Sequence, residues 1–378
     1  MAKRSFRIAL AIVAGSFLII GLVTWWIIAG LFDYPNERHG GKGEEVTVEI
    51  EQGMSFPQIA ERLVDRGVIS HPVRFRLFAM KEGATTKVRP GRYLLRDDMT
   101  PREVLARLLE GVKDVLVSVT IPEGLDMLEV FAEIDKAGVA NAADLERMAR
   151  DPAFLASKGI EGDSLEGYLF PDTYKFVLPS PPAKVLEQML KRHREVWDKI
   201  RADKRRQIED LEKRMGWSDR DILIMASIVE KEAVVQEERP RIAQVFINRL
   251  TDDDFQPKLL QTDPTIRYGC LVPVHKTPAC EEWFKEECKN EQVGSAVLRR
   301  CGRLHTAQLH DADNLYSTYT HEKLPPGPIG NPGEASLRAT VEPDGSRYFY
   351  FVAKEDRRHH AFARSKEEHD KNVEKYQK

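Results

Sequence analysis

From Ile8 to Phe32 the chain carries no charged residue, with Lys3, Arg4 and Arg7 before the run and Asp33 after it. A helix of that length crosses a hydrocarbon core of roughly 30 Å. The basic flank predicts a cytoplasmic N-terminus, with everything after Asp33 outside. A cleaved signal peptide would have an apolar region of about 7–15 residues ending in small residues. Here Trp25 and Trp26 stand near the outer end instead. The expected order is a tail at 1–7, a retained transmembrane helix at 8–32 and a glycine-containing linker at 33–45.

Beyond the linker the pattern turns to short alternating runs, each followed by an amphipathic stretch. Three units share this design: Val46–Ile50 with Ser55, Gln58 and Gly67; Gly91–Leu95 with Thr100, Glu103 and Gly111; Val117–Ile121 with Asp126, Glu129 and Gly138. Ser55, Thr100 and Asp126 suit helix N-caps, and the Gln or Glu three residues later completes a capping box. The closing glycines suit left-handed helix stops. This places a strand–helix region at 46–140, either a carbohydrate-binding module or a spacer. Asn141 to Ser164 reads as helical, with Asp144 as a candidate cap. From Ala183 to Met215 a helical period carries Leu186, Met189, Leu190, Val196, Trp197 and Ile200.

Two polar segments are set in strongly apolar sequence: Glu166–Tyr174, and Ile222–Ala233. The second is apolar on every face from Ile222 to Val229, so it is expected as a buried helix. It ends in Glu230, Lys231 and Glu232. A carboxyl group at a helix C-terminus opposes the dipole, and beside apolar surface it holds its proton more tightly. A general acid needs that property. Glu230 and Glu232 lie on different helix faces, and periodicity does not choose between them. Downstream come the amphipathic Arg239–Leu250, an apolar strand turning through polar residues and proline at Leu260–Thr265, Tyr316–Tyr319, the Pro/Gly-rich loop Leu324–Gly333 and a strand at Tyr348–Ala353.

Composition excludes wholesale disorder and a multi-span protein, with 42% hydrophobic and 31% charged residues. A formal net charge of −3 gives no support to a nucleic-acid partner. The cysteines sharpen the picture more. All four (Cys270, Cys280, Cys288 and Cys301) fall in one segment without a C-x-x-C pair, although His275 and His305 lie close by. Outside a cytoplasm such a cluster points to two disulfides rather than zinc, with three connectivities open.

The ordered series EGYLFPDTY, ASIVEKEA, VFINRL, LQTDPT, YSTY, LPPGPIGNPG and YFYFVA resembles the endolytic murein transglycosylases of bacteria. The anchor and the strand–helix region, LysM-like in that family, fit as well. The resemblance implies an α+β enzyme of the bacterial inner membrane, with a periplasmic catalytic domain at 141–378. Its substrate would be the glycan strands of peptidoglycan, cut at the β-1,4 bond of MurNAc–GlcNAc to leave 1,6-anhydro ends. It implies synthase partners, no cofactor and no metal. By the resemblance the catalytic acid is the second Glu of EKE, Glu232. Glu166, Asp172, Gln261 and Asp263 match motif positions and are assigned to substrate binding or site support, with Tyr319 and Asn331 as further candidates. Tyr168 and Phe170 suit either sugar stacking or core. One departure stands out: the family connection at 270–313 is shorter and lacks the cysteines, so this segment is read as an insertion. Two rival expectations are a non-catalytic peptidoglycan-binding scaffold and a conventional hydrolase pairing Glu232 with Asp263.

Overall fold

The computed structural model describes residues 33–377 apart from 39, 52 and 112–114. The expected tail and transmembrane helix lie outside the described residues. Among the described residues no helix is long and apolar enough to cross a membrane. The chain forms two compact units, Met1–Asp114 and Val115–Lys378, each with α and β elements.

In the first unit β1 (Glu45–Ile50) pairs antiparallel with β2 (Gly91–Arg96), Val48 opposite Tyr93. Between them run α1 (Phe56–Asp65) and α2 (Pro72–Lys81), and α3 (Pro101–Glu110) follows. Alternation sends Val48, Ile50, Tyr93 and Leu95 inward onto Phe56, Ile59, Leu63, Phe75 and Leu108. Both capping boxes form: the Ser55 amide donates to Gln58 and the Thr100 amide to Glu103. The second helix, α2, is not in the sequence reading; its basic residues interrupt the apolar period, and burial of Phe75 and Phe78 holds it in place. The segment expected as a linker is packed. Tyr34 is buried, its hydroxyl donates to the His71 carbonyl, and the amides of Gly43 and Glu44 donate to Asp97.

The second unit opens on β3 (Val115–Thr120), the strand of the third expected repeat. Its partner is β4 (Thr173–Leu178), so the repeat region expected at 46–140 runs across both units. Between them lie α4 (Met127–Lys136), α5 (Ala142–Ala149) and α6 (Pro152–Lys158). The cap of α5 is Asn141, which accepts from Ala143 and Asp144 amides, rather than Asp144. After β4 come α7 (Pro182–Asp203), α8 (Arg205–Met215), α9 (Asp219–Glu232) and α10 (Arg239–Thr251). Every residue of α9 from Ile222 to Val229 is buried, as its all-round apolarity requires.

The polar turn at Leu260–Thr265 leads into α11 (Asp263–Leu271) instead of ending a strand. The cysteine segment then folds as α12 (Pro278–Glu287), the hairpin β5 (Cys288–Val293) and β6 (Ala296–Cys301), and the short α13 (Thr306–Leu309). Cys270 joins Cys280 and Cys288 joins Cys301, around a small core of Trp283 and Phe284. The chain ends with α14 (Glu334–Val341), the hairpin β7 (Tyr350–Ala353) and β8 (His360–Ala363), and α15 (Lys366–Tyr376).

Candidate active site

The buried length of α9 carries its last turn to a place where two carboxyl groups meet different surroundings. Glu230 is tied down. Its side chain, 5% exposed, pairs with Arg239 at 2.8 Å and accepts from the Gly333 amide at 3.0 Å. Arg239 reaches Glu123 as well. This carboxylate locks loops together and has no free acceptor face toward solvent.

Glu232 is half-buried and ends the helix. Among the described residues its one hydrogen-bond donor is the Thr262 hydroxyl. Burial pushes its carboxyl above the ordinary range, and the charge of Asp263 adds to that. The Thr262 hydrogen bond, His360 and Arg249 act the other way, but burial dominates. The group is thus biased toward its protonated form while part of it stays open to solvent.

The neighbours are positioned by buried backbone. Gln261 and Asp263 are exposed and flank the buried Thr262. Gln261 holds φ at +53°, a left-handed value that a non-glycine residue adopts at a cost. Its amide donates to the Thr318 carbonyl, and the Thr262 amide donates to the Thr318 hydroxyl at 3.1 Å. Thr265 closes this ladder by donating to the Thr262 carbonyl. The Tyr319 hydroxyl donates to Asp263 at 2.9 Å.

Arg249, on α10, is buried and donates to the carbonyls of Phe349 and Leu260. Its guanidinium lies 5.6 Å from the Phe255 ring and 5.5 Å from that of Tyr350. Burial lowers its pKa to about 10. His360, on β8, is held by Glu238 at 2.7 Å.

Of the residues singled out from sequence, the structure gathers Glu232, Gln261, Asp263 and Tyr319 around one turn. Glu166 and Asn331 belong to a second, closed network. Glu166 is 2% exposed and accepts from the Met127 amide and the Asn331 side chain, both at 3.0 Å. Burial, with Asp126 beside it, raises its pKa to about 8. Asn331 also donates to the Leu125 carbonyl and accepts from the Leu169 amide. Both residues join the Pro/Gly-rich loop to the start of α4. Asp172 pairs with Arg192 at 2.6 Å, part of neither cluster. Phe170 is buried beneath Arg192, and Tyr168 packs against His193.

The sequence reading missed Thr262, Arg249 and His360. Thr262 was signalled by position, since it lies between two named residues in a polar turn. Arg249 and His360 carry no local mark; they converge from helix and hairpin only on folding. Among the described residues no group of three His, Cys, Asp or Glu side chains is arranged to hold a metal ion.

One half-buried acid, biased toward its protonated form and neighboured by the polar Gln261, Asp263 and Tyr319, has the character that acid–base chemistry needs, in an α+β domain. The chain belongs to the YceG-like family, whose model matches residues 48–375. Similar proteins include one named endolytic murein transglycosylase from Bacillus subtilis (strain 168), 27% identical over 88% of this chain and 84% of that protein. One of the same name from Streptococcus pneumoniae serotype 2 (strain D39) is 27% identical over 87% of this chain and 58% of its own length. The crystal structure of a YceG-like protein from Listeria monocytogenes is 29% identical, with a TM-score of 0.51 over 87% of this chain and 99% of that one.

Proposed function

We propose that this chain is an endolytic murein transglycosylase and that Glu232 is its acid–base catalyst. The observation that carries the reading is the Glu232 carboxyl, raised in pKa by burial and half-open, in a chain that belongs to the YceG-like family. Glu232 protonates the leaving glycosidic oxygen of a MurNAc–GlcNAc bond. As a carboxylate it then takes the proton from the C6 hydroxyl of the muramic sugar. The C6 oxygen closes on C1, and a 1,6-anhydro end forms without water. Proton transfer of this kind contributes about 10²–10⁴-fold in rate. Gln261, Asp263 and Tyr319 stand where they contact sugar hydroxyls and N-acetyl groups. Arg249 and Thr262 are positioning residues for the acid.

In this reading the run at 8–32 anchors the protein in the inner membrane, facing the periplasm. It acts beside peptidoglycan synthases, shortening new strands. The first unit serves as a LysM-like glycan contact.

Digestion of purified sacculi with mass analysis of the products tests the reading. Anhydro-muramic ends that vanish in Glu232→Gln support it. Reducing ends instead would make the protein a hydrolase with Asp263 as the second carboxylate, and intact glycan would make it a binding scaffold.

A further inference from the structure

The cysteine segment does more than decorate the second unit: it walls a cavity of about 980 Å³. Its lining combines Pro273–Pro278 with Arg150, Asp163, Arg220 and the Asp313–Tyr316 turn. Lys276 lines it with Nζ out of solvent and, among the described residues, without a hydrogen-bond or ion-pair partner. Arg220 donates to the carbonyls of Glu161 and Pro326. Among the described residues neither cation makes an ion pair, although Asp163 and Asp313 also line the cavity. Arg150 adds a third positive charge, shared with Glu146. A buried ammonium without a partner is costly. Burial, with Arg299 and Arg150 nearby, lowers the Lys276 pKa to about 8, against the opposing pull of Glu281 and Glu146. Val274 and Leu315 stand at the rim 68% and 64% exposed.

Three cations against two carboxylates, with the exposed Val274 and Leu315 in the same lining, suit a ligand with carboxylates and methyl groups. α11 links this cavity to the acid. Asp263 begins the helix beside Glu232 and Gly269 reaches the cavity, about 9 Å along the axis at ~1.5 Å per residue. A glycan seated at Glu232 would carry its peptide substituent over a distance of that order. We infer that the cavity between the disulfide-bonded insertion and the Arg150–Arg220 side binds the carboxylate-bearing stem peptide of peptidoglycan, with Lys276 as its principal anchor. This rests on the glycan-cleaving reading above for the identity of the ligand. It makes the insertion a selector for strands that still carry peptides.

The test is titration calorimetry of the full-length protein in detergent with synthetic L-Ala-γ-D-Glu-L-Lys-D-Ala. Saturable binding is expected, weakened about tenfold or more by Lys276→Met and largely kept by Lys276→Arg, since a charge-assisted bond is lost only in the first. The C-terminal amide of the same peptide should bind more weakly than the acid. Absence of saturable binding, indifference to Lys276→Met, or binding of inorganic phosphate without the peptide would overturn the inference. Sacculus digestion by the same preparation separates the two readings. Glu232-dependent cleavage without peptide binding defeats the cavity assignment alone. Peptide binding without cleavage defeats the catalytic reading and leaves the cavity standing.

Discussion

The last turn of α9 divides two acid-containing regions that look alike in one respect and differ in everything else. On one side Glu166 and Glu230 are almost fully enclosed and meet donors fixed by the fold: the Met127 and Gly333 amides, Asn331 and Arg239. On the other, Glu232 keeps part of its surface open and receives one hydroxyl donor, from Thr262. Burial raises the pKa of both Glu166 and Glu232. A raised pKa therefore does not mark a catalyst by itself. Glu166 is saturated with donors and shut away, so its proton has nowhere to go. Glu232 is only partly buried, so its proton lies closer to solvent than that of Glu166. Under the proposed mechanism, access and unspent hydrogen-bonding capacity separate Glu232 from the acid that holds loops together.

The sharpest way to break this comparison is Glu232→Gln. Anhydro-product formation should fall by about 10²–10⁴-fold while the thermal midpoint stays near that of the parent. A variant retaining full activity would move the catalyst elsewhere. Glu230→Ala should do the reverse. Removing one partner of a buried ion pair costs up to about 3–5 kcal/mol, and Arg239 would keep only its longer pairing with Glu123, so denaturant unfolding should show a clear loss of stability. Measured at a temperature where the variant is folded, its pH–rate profile should match the parent's.

Thr262→Val is the milder probe. It removes a donor that favours the ionised form of Glu232, so the alkaline limb of the pH–rate profile should move upward. The accompanying loss of about 1 kcal/mol of orientation should slow the reaction several-fold. The smallest effect is expected at Glu166. Its folded pKa of about 8 lies above the ordinary carboxyl value, so the folded state holds a proton that the unfolded state releases as pH rises. Its contribution to stability is complete below the unfolded value and is lost as pH climbs through about 8. Glu166→Gln, neutral throughout, should flatten that part of the midpoint-versus-pH curve and leave the cleavage chemistry unchanged. An unaltered slope would show that the carboxyl is ionised in the folded protein.

Much of this arrangement is legible along the chain where the cause is local. The Ser55, Thr100 and Asp126 capping boxes form as read, because cap and partner lie three residues apart and need no tertiary contact. The burial of α9 follows from its lack of any polar face. Helix α2 escaped because tertiary packing of Phe75 and Phe78 overrides its weak period. Asn141 displaced Asp144 as a cap because side-chain reach to the next amides, not acidity, decides that position.

The sequence by itself determined where the helices with capping boxes at Ser55, Thr100 and Asp126 start, that one helix must be buried, and that two carboxyl groups stand at its end. Periodicity left open the choice between Glu232 and Glu230, and only the resemblance pointed to Glu232. Tertiary structure alone decided the rest. It paired β3 with β4 across intervening helices, and it matched Cys270 to Cys280 and Cys288 to Cys301. It also brought Thr262, Arg249 and His360 to the acid from three separate elements, while sealing Glu166 into a wall. The physical reason is range. Capping and apolar period act over one or two turns of chain, whereas burial, Coulomb interaction and solvent access depend on residues that only folding makes neighbours.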